Sequence, residues 1–520
     1  MRNARVKIIT AGLLAILTAV IFVLPVQAQR QMPPEYKEIV AARSIVDAAA
    51  RLKEFERIKA AYPNSEMMGA IDNFILTAKV EMADTLDAVL SLQKSGIAKA
   101  QGPAILANLA GSAEQIIDHP KLAVFSKPGV TAAIQAYQEE AVKAAGRPET
   151  LKGVPPDQQG YFKAYYLNSF DASLALAFLN EGRADKALGA LDAYIRNGGS
   201  KDGRYFYALA EARDKQGRSK EALESYLDAV VDQYPGAGEK AKALFIKLNG
   251  SDKGYEAKLE AIMRELPYQV APFKPSSEWK GQAVLAEIFT GSECPPCVGA
   301  DLGFDGLLES YPARYLAVLE YHLPIPRPDP MMNPATKKRQ AYYGINSTPT
   351  VVIDGEKKTS GGGSRGMAED KYKEYVADIS PRLKAVPGVA LTVEAARAGD
   401  AVKVKCGFDR VVPEADYLVV LVQGEERYKG SNGIVFHKRV VRDLAELAPA
   451  GGKEVRFDLA ASEQATDRYL TDFEKTYDRI PNFKFTERHA TIGRQGLQVV
   501  FFVQDRASKK VLNSAVAEVK

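Results

Sequence analysis

The chain runs to 520 residues, with 69 Lys and Arg set against 65 Asp and Glu for a formal net charge of +4. That near-balance implies no strongly basic face of the kind that nucleic acid or an acidic membrane surface would demand, and no nucleic-acid partner is expected. Three cysteines are too few to staple a chain of this length, so three or four apolar cores, not bridges, must hold it.

At the start, Arg2, Arg5 and Lys7 precede an uncharged run of 17 residues, Ile8 to Leu24, and Val26 and Ala28 carry the short side chains that a signal peptidase reads. The pattern predicts a signal peptide over 1–28 and a periplasmic or secreted mature chain. An uncleaved N-terminal anchor facing the periplasm is the alternative, because the run is long for a cleaved signal.

From 29 to about 265 the composition is helix-forming. Within it Leu174, Ala175, Ala177, Gly182, Arg183, Ala187 and Leu188 recur 35 residues later as Leu209, Ala210, Ala212, Gly217, Arg218, Ala222 and Leu223. Alanines allow close helix packing, and the glycine ends the first helix of each pair. The period is similar to that of tetratricopeptide helical hairpins. This divides the segment into a helical region at 29–160 and tetratricopeptide-like repeats at 161–265. The resemblance implies a concave surface for a protein ligand; a plain helical bundle without partners is the competing expectation.

Three prolines and two serines between Leu266 and Ser277 mark a linker at 266–279. Beyond it, Ala283 to Phe289 is apolar enough for a buried strand, and Val298, Leu302, Leu307 and Leu308 recur at helical spacing. Cys294-Pro-Pro-Cys297 lies between them, on a strand-to-helix turn where positive partial charge favours a thiolate. A second strand is expected over Tyr315 to Tyr321, a helix over Pro334 to Tyr343, a hairpin turn at Asp354-Gly355 and a closing helix over Met367 to Leu383. The proline-rich stretch 324–334 reads as a rigid loop, with Met331 and Met332 as an apolar contact for substrate or as ordinary packing. Gly361 to Gly363 reads as a flexible turn.

The cysteine pair together with Tyr343-Gly-Ile-Asn-Ser-Thr348-Pro349-Thr350 resembles the thioredoxin fold over 280–386. The resemblance implies thiol–disulfide exchange with protein or peptide disulfides and with a redox partner protein. Cys294 would attack, Cys297 would resolve the mixed disulfide, and Thr348 and Pro349 would line the substrate groove. Glu287 is the counterpart of the family's buried proton-relay carboxylate when one extra residue is allowed before Cys294, and an ordinary strand-edge glutamate is the alternative. The tryptophan that usually precedes the first cysteine is Glu293 here, and Pro295-Pro296 removes two backbone donors. Both departures point to a reductase or isomerase rather than a strong oxidant.

Other readings of the pair are an inert clip or half a metal site. Zinc takes four ligands, and the four histidines (His119, His322, His437, His489) show no ligand spacing. The expectation is therefore no metal and no cofactor. Cys406 shares one strand face with Val402, Val404 and Phe408 and reads as a core thiol; His322 reads as structural, with a place near the disulfide as the alternative.

Past Val386 the period becomes two, with strands expected over Val389–Glu394, Val402–Phe408, Tyr417–Gln423, Val455–Leu459 and Leu497–Gln504, and a helix over Ser462 to Tyr477. These predict an antiparallel β-sandwich at 387–520, with Gly433 to Arg442 as a solvated basic strand edge. The expected fold is multidomain: an α-helical N-terminal region, an α/β thioredoxin-like domain and a C-terminal β-sandwich. The expected function is an exported thiol–disulfide oxidoreductase of reductase or isomerase type, or else a repeat scaffold with a redox-sensing or inert module.

Overall fold

The computed structural model describes residues 33, 35–156, 158–358, 361–480 and 482–520, so the expected signal peptide over 1–28 lies outside the described residues. The chain packs as two compact units that divide between Glu256 and Ala257. Among the described residues, no helix is long and apolar enough to cross a membrane.

The first unit is helical throughout, from Glu35–Arg43 to Ala237–Asn249. Its 35-residue repeat forms two hairpins: α1 (Gln159–Asn180) with α2 (Ala184–Arg196), and α3 (Gly203–Lys215) with α4 (Ser219–Val231). Helix α1 starts at Gln159, so the expected boundary at 160/161 falls inside its first turn. The two turns are built alike. Gly182 and Gly217 hold φ of 82° and 78°, the left-handed region that an alanine there would resist. Beyond each, Arg183 donates its backbone N–H to Phe178 O at 2.8 Å and Arg218 to Arg213 O at 2.9 Å, closing the exposed carbonyls of the helix before it. Ala175, Ala187, Ala208 and Ala212 are all fully buried in the seam between hairpins, where their small side chains let the backbones approach.

The second unit is built on one mixed sheet. Its strands are β1 (Val284–Thr290), β2 (Leu316–His322), β3 (Thr350–Ile353), β4 (Glu356–Lys358), β5 (Leu391–Ala398), β6 (Ala401–Phe408), β7 (Ala415–Arg427), β8 (Phe436–Glu446), β9 (Glu454–Asp458), β10 (Leu497–Asp505) and β11 (Val511–Glu518). Eight strands run in the order β11-β10-β7-β8-β2-β1-β3-β4, and β5-β6-β9 form a separate antiparallel sheet. The helices are α5 (Cys297–Ser310), α6 (Pro334–Tyr343), α7 (Ala368–Arg382) and α8 (Leu459–Thr476).

The separate C-terminal β-sandwich needs correcting. Strands from both sides of residue 387 belong to the same sheet, because β8 pairs with β2 in parallel, Glu320 opposite Val440, and with β7 in antiparallel. Two layers do exist there, since Val402, Val404 and Cys406 of the small sheet share a core with Val419, Leu421, Val499 and Phe501 of the large one. The basic segment at 433–442 is therefore no solvated edge. It enters β8, and His437, Val440, Val441 and Arg442 are all buried. Two of its charges have partners inside the fold: Arg442 donates to the carbonyls of His489 and Thr491 at 2.6 and 2.8 Å, and Lys438 Nζ lies 3.1 Å from Asp305 Oδ2.

Alternation along β1 fixes two faces. Val284, Ala286 and Ile288 pack with Ala300, Phe304 and Leu307 of α5 and Tyr375 of α7. Leu285 and Phe289 turn the other way, into a core shared with Val420, Val422, Val500 and Phe502 of the C-terminal strands. The expected linker at 266–279 is irregular but pinned: Phe273 stacks on Tyr311 at 4.5 Å between ring centres, and Tyr268 donates its hydroxyl proton to Leu302 O at 2.8 Å.

Candidate active site

Strand β1 ends at Thr290, and the chain turns through Gly291 to Glu293 before the bridged pair Cys294–Cys297. Cys294 donates its N–H to Gly291 O, and Cys297 donates its own to Cys294 O, both at 3.0 Å. Helix α5 begins at Cys297, with Pro296 as its cap residue, so Cys297 rather than Cys294 is the first helical residue. The leading amides of the helix are already used: Val298 N–H turns to Pro295 O at 3.5 Å and Gly299 N–H to Gly363 O at 2.9 Å. A helix start offers a thiolate its free N–H groups, and those of Cys297, Val298 and Gly299 are taken.

The polar group that reaches Cys294 comes from the loop before β3. Thr348 Oγ1 lies 3.4 Å from Cys294 Sγ and 2.9 Å from Ile325 O. The Thr348–Pro349 peptide is cis, as is Ile325–Pro326. Thr348 is thus brought to the Cys294–Cys297 bridge, with Pro349 next to it in the chain.

Three loops close over the bridge, and Cys294 is only 1% exposed. The β7–β8 loop docks on the residues before the pair, with Asn432 N–H on Ser292 O at 3.1 Å and Ser431 N–H on Glu293 Oε1 at 3.3 Å. The glycine loop docks on the residues inside it, with Gly363 N–H on Pro296 O at 2.6 Å. The expected flexible turn at Gly361 to Gly363 is therefore a specific contact. The proline-rich loop is held by Asp329, whose Oδ2 accepts from Ser292 N–H at 2.6 Å and whose Oδ1 accepts from Met331 N–H at 2.8 Å. Met331 and Met332 are fully buried there and offer no surface to a substrate.

Glu287, the expected proton relay, sits elsewhere. It faces away from α5, together with Leu285 and Phe289. Its Oε1 accepts from Arg339 Nε at 2.7 Å, and its Oε2 accepts from Arg339 Nη2 at 3.0 Å and from Tyr343 Oη at 2.7 Å. Arg339 in turn donates to Gln504 Oε1 at 2.8 Å. This network ties β1, α6 and β10 together, and among the described residues no hydrogen bond links the carboxylate to the bridge. The notional match required an extra residue between strand and cysteine, and that residue turned the side chain to the opposite face.

On the α5 side of the sheet lies a buried polar cluster. Asp301 stands one helical turn beyond Cys297, with burial first and Glu320 second raising its pKa well above the usual carboxylate range. His322 Nδ1 lies 2.9 Å from Asp329 Oδ2 and its Nε2 lies 2.7 Å from Glu320 Oε1. Burial would depress the His322 pKa, but Asp329 and Glu320 outweigh it and push it to about 10. His437 Nε2 lies 3.0 Å from Tyr428 O and its Nδ1 3.7 Å from Glu320 Oε1. Spacing gave no hint of this, because His322 and His437 meet only through the β2–β8 pairing. The signal within reach was the alternation Leu316, Val318, Glu320, His322, which sets two polar side chains on the buried face of a strand.

Cys406 is buried at 2% exposure, and burial pushes its pKa up to about 12. It is a core thiol. Comparisons with protein-family models, with curated proteins and with solved structures find no match.

Proposed function

We propose that this chain is an exported thiol–disulfide oxidoreductase of thioredoxin-like type, acting on protein or peptide disulfides through Cys294 and Cys297. The observation that carries the reading is the approach of Thr348 Oγ1 to Cys294 Sγ at 3.4 Å. A bridge that merely clips a turn needs no hydroxyl from a loop more than fifty residues away; the one hydroxyl proton goes to Ile325 O at 2.9 Å, and a thiolate at Cys294 would draw it from that carbonyl. In the reduced protein, Cys294 thiolate attacks a substrate disulfide, forms a mixed disulfide and expels one substrate thiolate. Cys297 thiolate then attacks Cys294 Sγ, releases the second substrate thiolate and leaves the Cys294–Cys297 bridge. The substrate gains two electrons, and a dithiol partner protein must return them to the bridge. Thr348 and Pro349 would border the bound substrate strand once the covering loops part. The occupied helix-start amides support a reductase or isomerase poise, since a less stabilised thiolate lowers the potential. The helical unit, with its tetratricopeptide-like hairpins, would carry a protein ligand.

The near-complete burial of Cys294 favours a second reading, a redox-sensing or inert module on a binding scaffold. One experiment separates them. The purified mature chain is assayed for reduction and reshuffling of a scrambled-disulfide substrate, and its bridge is equilibrated with glutathione to obtain a potential. Turnover that Cys294→Ser removes supports the enzyme; a bridge that opens to dithiothreitol only in denaturant supports the inert module.

A further inference from the structure

We propose that Glu320, His322 and His437 form a binding site for one divalent transition-metal ion of the zinc class, separate from the cysteine pair and independent of the oxidoreductase reading. Glu320 Oε1, His322 Nε2 and His437 Nδ1 all lie within 4.8 Å of one another, and the three residues are buried. Two of those spacings are 2.7 and 3.7 Å. Bonds of about 2.0–2.1 Å in tetrahedral array put ligand atoms roughly 3.3 Å apart, so small side-chain shifts would admit the ion.

The outer partners fix which ring nitrogens are left. A backbone carbonyl only accepts, so His437 donates through Nε2 to Tyr428 O at 3.0 Å, and Nδ1 is the ring nitrogen on the Glu320 side. The Asp329 carboxylate takes the Nδ1 proton of His322 at 2.9 Å, which leaves Nε2 facing Glu320. A carboxylate or carbonyl behind each imidazole is the arrangement that orients metal-binding histidines. Glu320 Oε1 and His322 Nε2 are buried and have each other as nearest polar partner, an attraction that helps hold the His322 pKa up. At 2.7 Å they approach each other, but off the line that a proton between them would need. A misaligned donor and acceptor in a dry site gain less than a straight hydrogen bond, and an ion at the point both face would replace that contact by displacing the Nε2 proton. Asp301 Oδ1 is without a partner and interacts electrostatically with Glu320 and His322.

Two histidines and one carboxylate suit zinc with a fourth position open. Metal would take the place of any proton on His322 Nε2. The site would also be tied to the covering loops, because Tyr428 belongs to the stretch after β7 and Asp329 to the proline-rich loop.

The test uses the full mature chain with Cys294→Ser and Cys297→Ser, so that thiolates cannot supply the ligands. This protein is incubated with zinc sulfate, desalted and its metal content measured. About one ion per chain is expected, falling to roughly a tenth or less in Glu320→Gln and in His437→Ala, with His489→Ala unaffected. X-ray absorption of the zinc-loaded parent should show two imidazole nitrogens, a readout that needs no variant to fold. No retained zinc, full retention by both ligand variants, or a spectrum without imidazole would each overturn the proposal.

Discussion

Gly363 donates its backbone N–H to the carbonyl of Pro296 at 2.6 Å, so the glycine loop is fastened to the residue inside the Cys294–Cys297 turn. Its neighbour Gly362 has no room for a side chain: a Cβ there would lie 1.6 Å from Pro296 O. Gly362→Ala must therefore detach the loop or displace the turn. We expect the bridge of this variant to open to dithiothreitol about tenfold faster in native buffer, which corresponds to roughly 1.4 kcal/mol of lost closure. Stopped-flow thiol trapping measures the rate, and an unchanged rate would show that this loop does not restrict access.

Thr348→Val removes the side-chain hydroxyl that lies 3.4 Å from Cys294 Sγ. The contact is long at 3.4 Å, so a loss of about 1 kcal/mol of thiolate stabilisation is appropriate. Destabilising the thiolate destabilises the reduced state, so the potential should fall by roughly 20 mV. Alkylation of Cys294 by iodoacetamide at pH 7 should slow in parallel. A potential that rises instead would sink the assigned role of Thr348.

A pH effect is expected from the β3–β4 turn. Asp354 and Gly355 hold φ of 48° and 84°, the left-handed pair that the Asp-Gly sequence foretold. Asp354 Oδ1 accepts from Leu285 N–H at 2.8 Å, and burial pushes the Asp354 pKa up to about 7. A carboxyl whose folded pKa lies above its unfolded value keeps its proton only in the fold, so stability falls as pH rises from about 4 to 7. Asp354→Asn keeps the acceptor and tolerates the backbone. Denaturant midpoints should show wild type losing a few kcal/mol across that window and the variant losing less. Parallel curves would mean that Asp354 does not titrate near 7.

The local pattern made most elements of the second unit legible. Helix α6 runs over Pro334–Tyr343, as its proline start and glycine end specify, and β1, β2, β6, β9 and β10 lie within a few residues of expectation. What the pattern could not carry was pairing. Nothing in the alternation of 436–446 says that β8 lies beside β2, yet that contact joins two expected domains and brings His437 to Glu320 and His322. The fate of the cysteine pair divides in the same way. Its turn and the nearness of Thr348 followed from local motifs, whereas its burial depends on three loops remote in sequence. Strand β11 went unread because Asn513 and Ser514 interrupt its alternation; both are buried, since Asn513 accepts from Ala283 N–H at 2.9 Å and Ser514 donates to Ala283 O at 3.1 Å.

Glu287 supplies the sharpest test of a role that sequence likeness suggested and geometry withdraws. Its carboxylate is fully buried, holds Arg339 through two hydrogen bonds and accepts a third from Tyr343 Oη. Removing its charge leaves the Arg339 guanidinium buried with neutral partners, and breaking a buried pair in this way costs about 3–5 kcal/mol. Glu287→Gln retains one acceptor oxygen and the side-chain volume, so a loss toward the lower end is expected, read as a shift of the urea midpoint at unchanged slope. The pH profile of disulfide exchange should keep its midpoint in this variant, because both Glu287 oxygens are bonded to Arg339 and Tyr343. A displaced midpoint with unchanged stability would restore Glu287 as the relay and overturn its assignment to the Arg339 network.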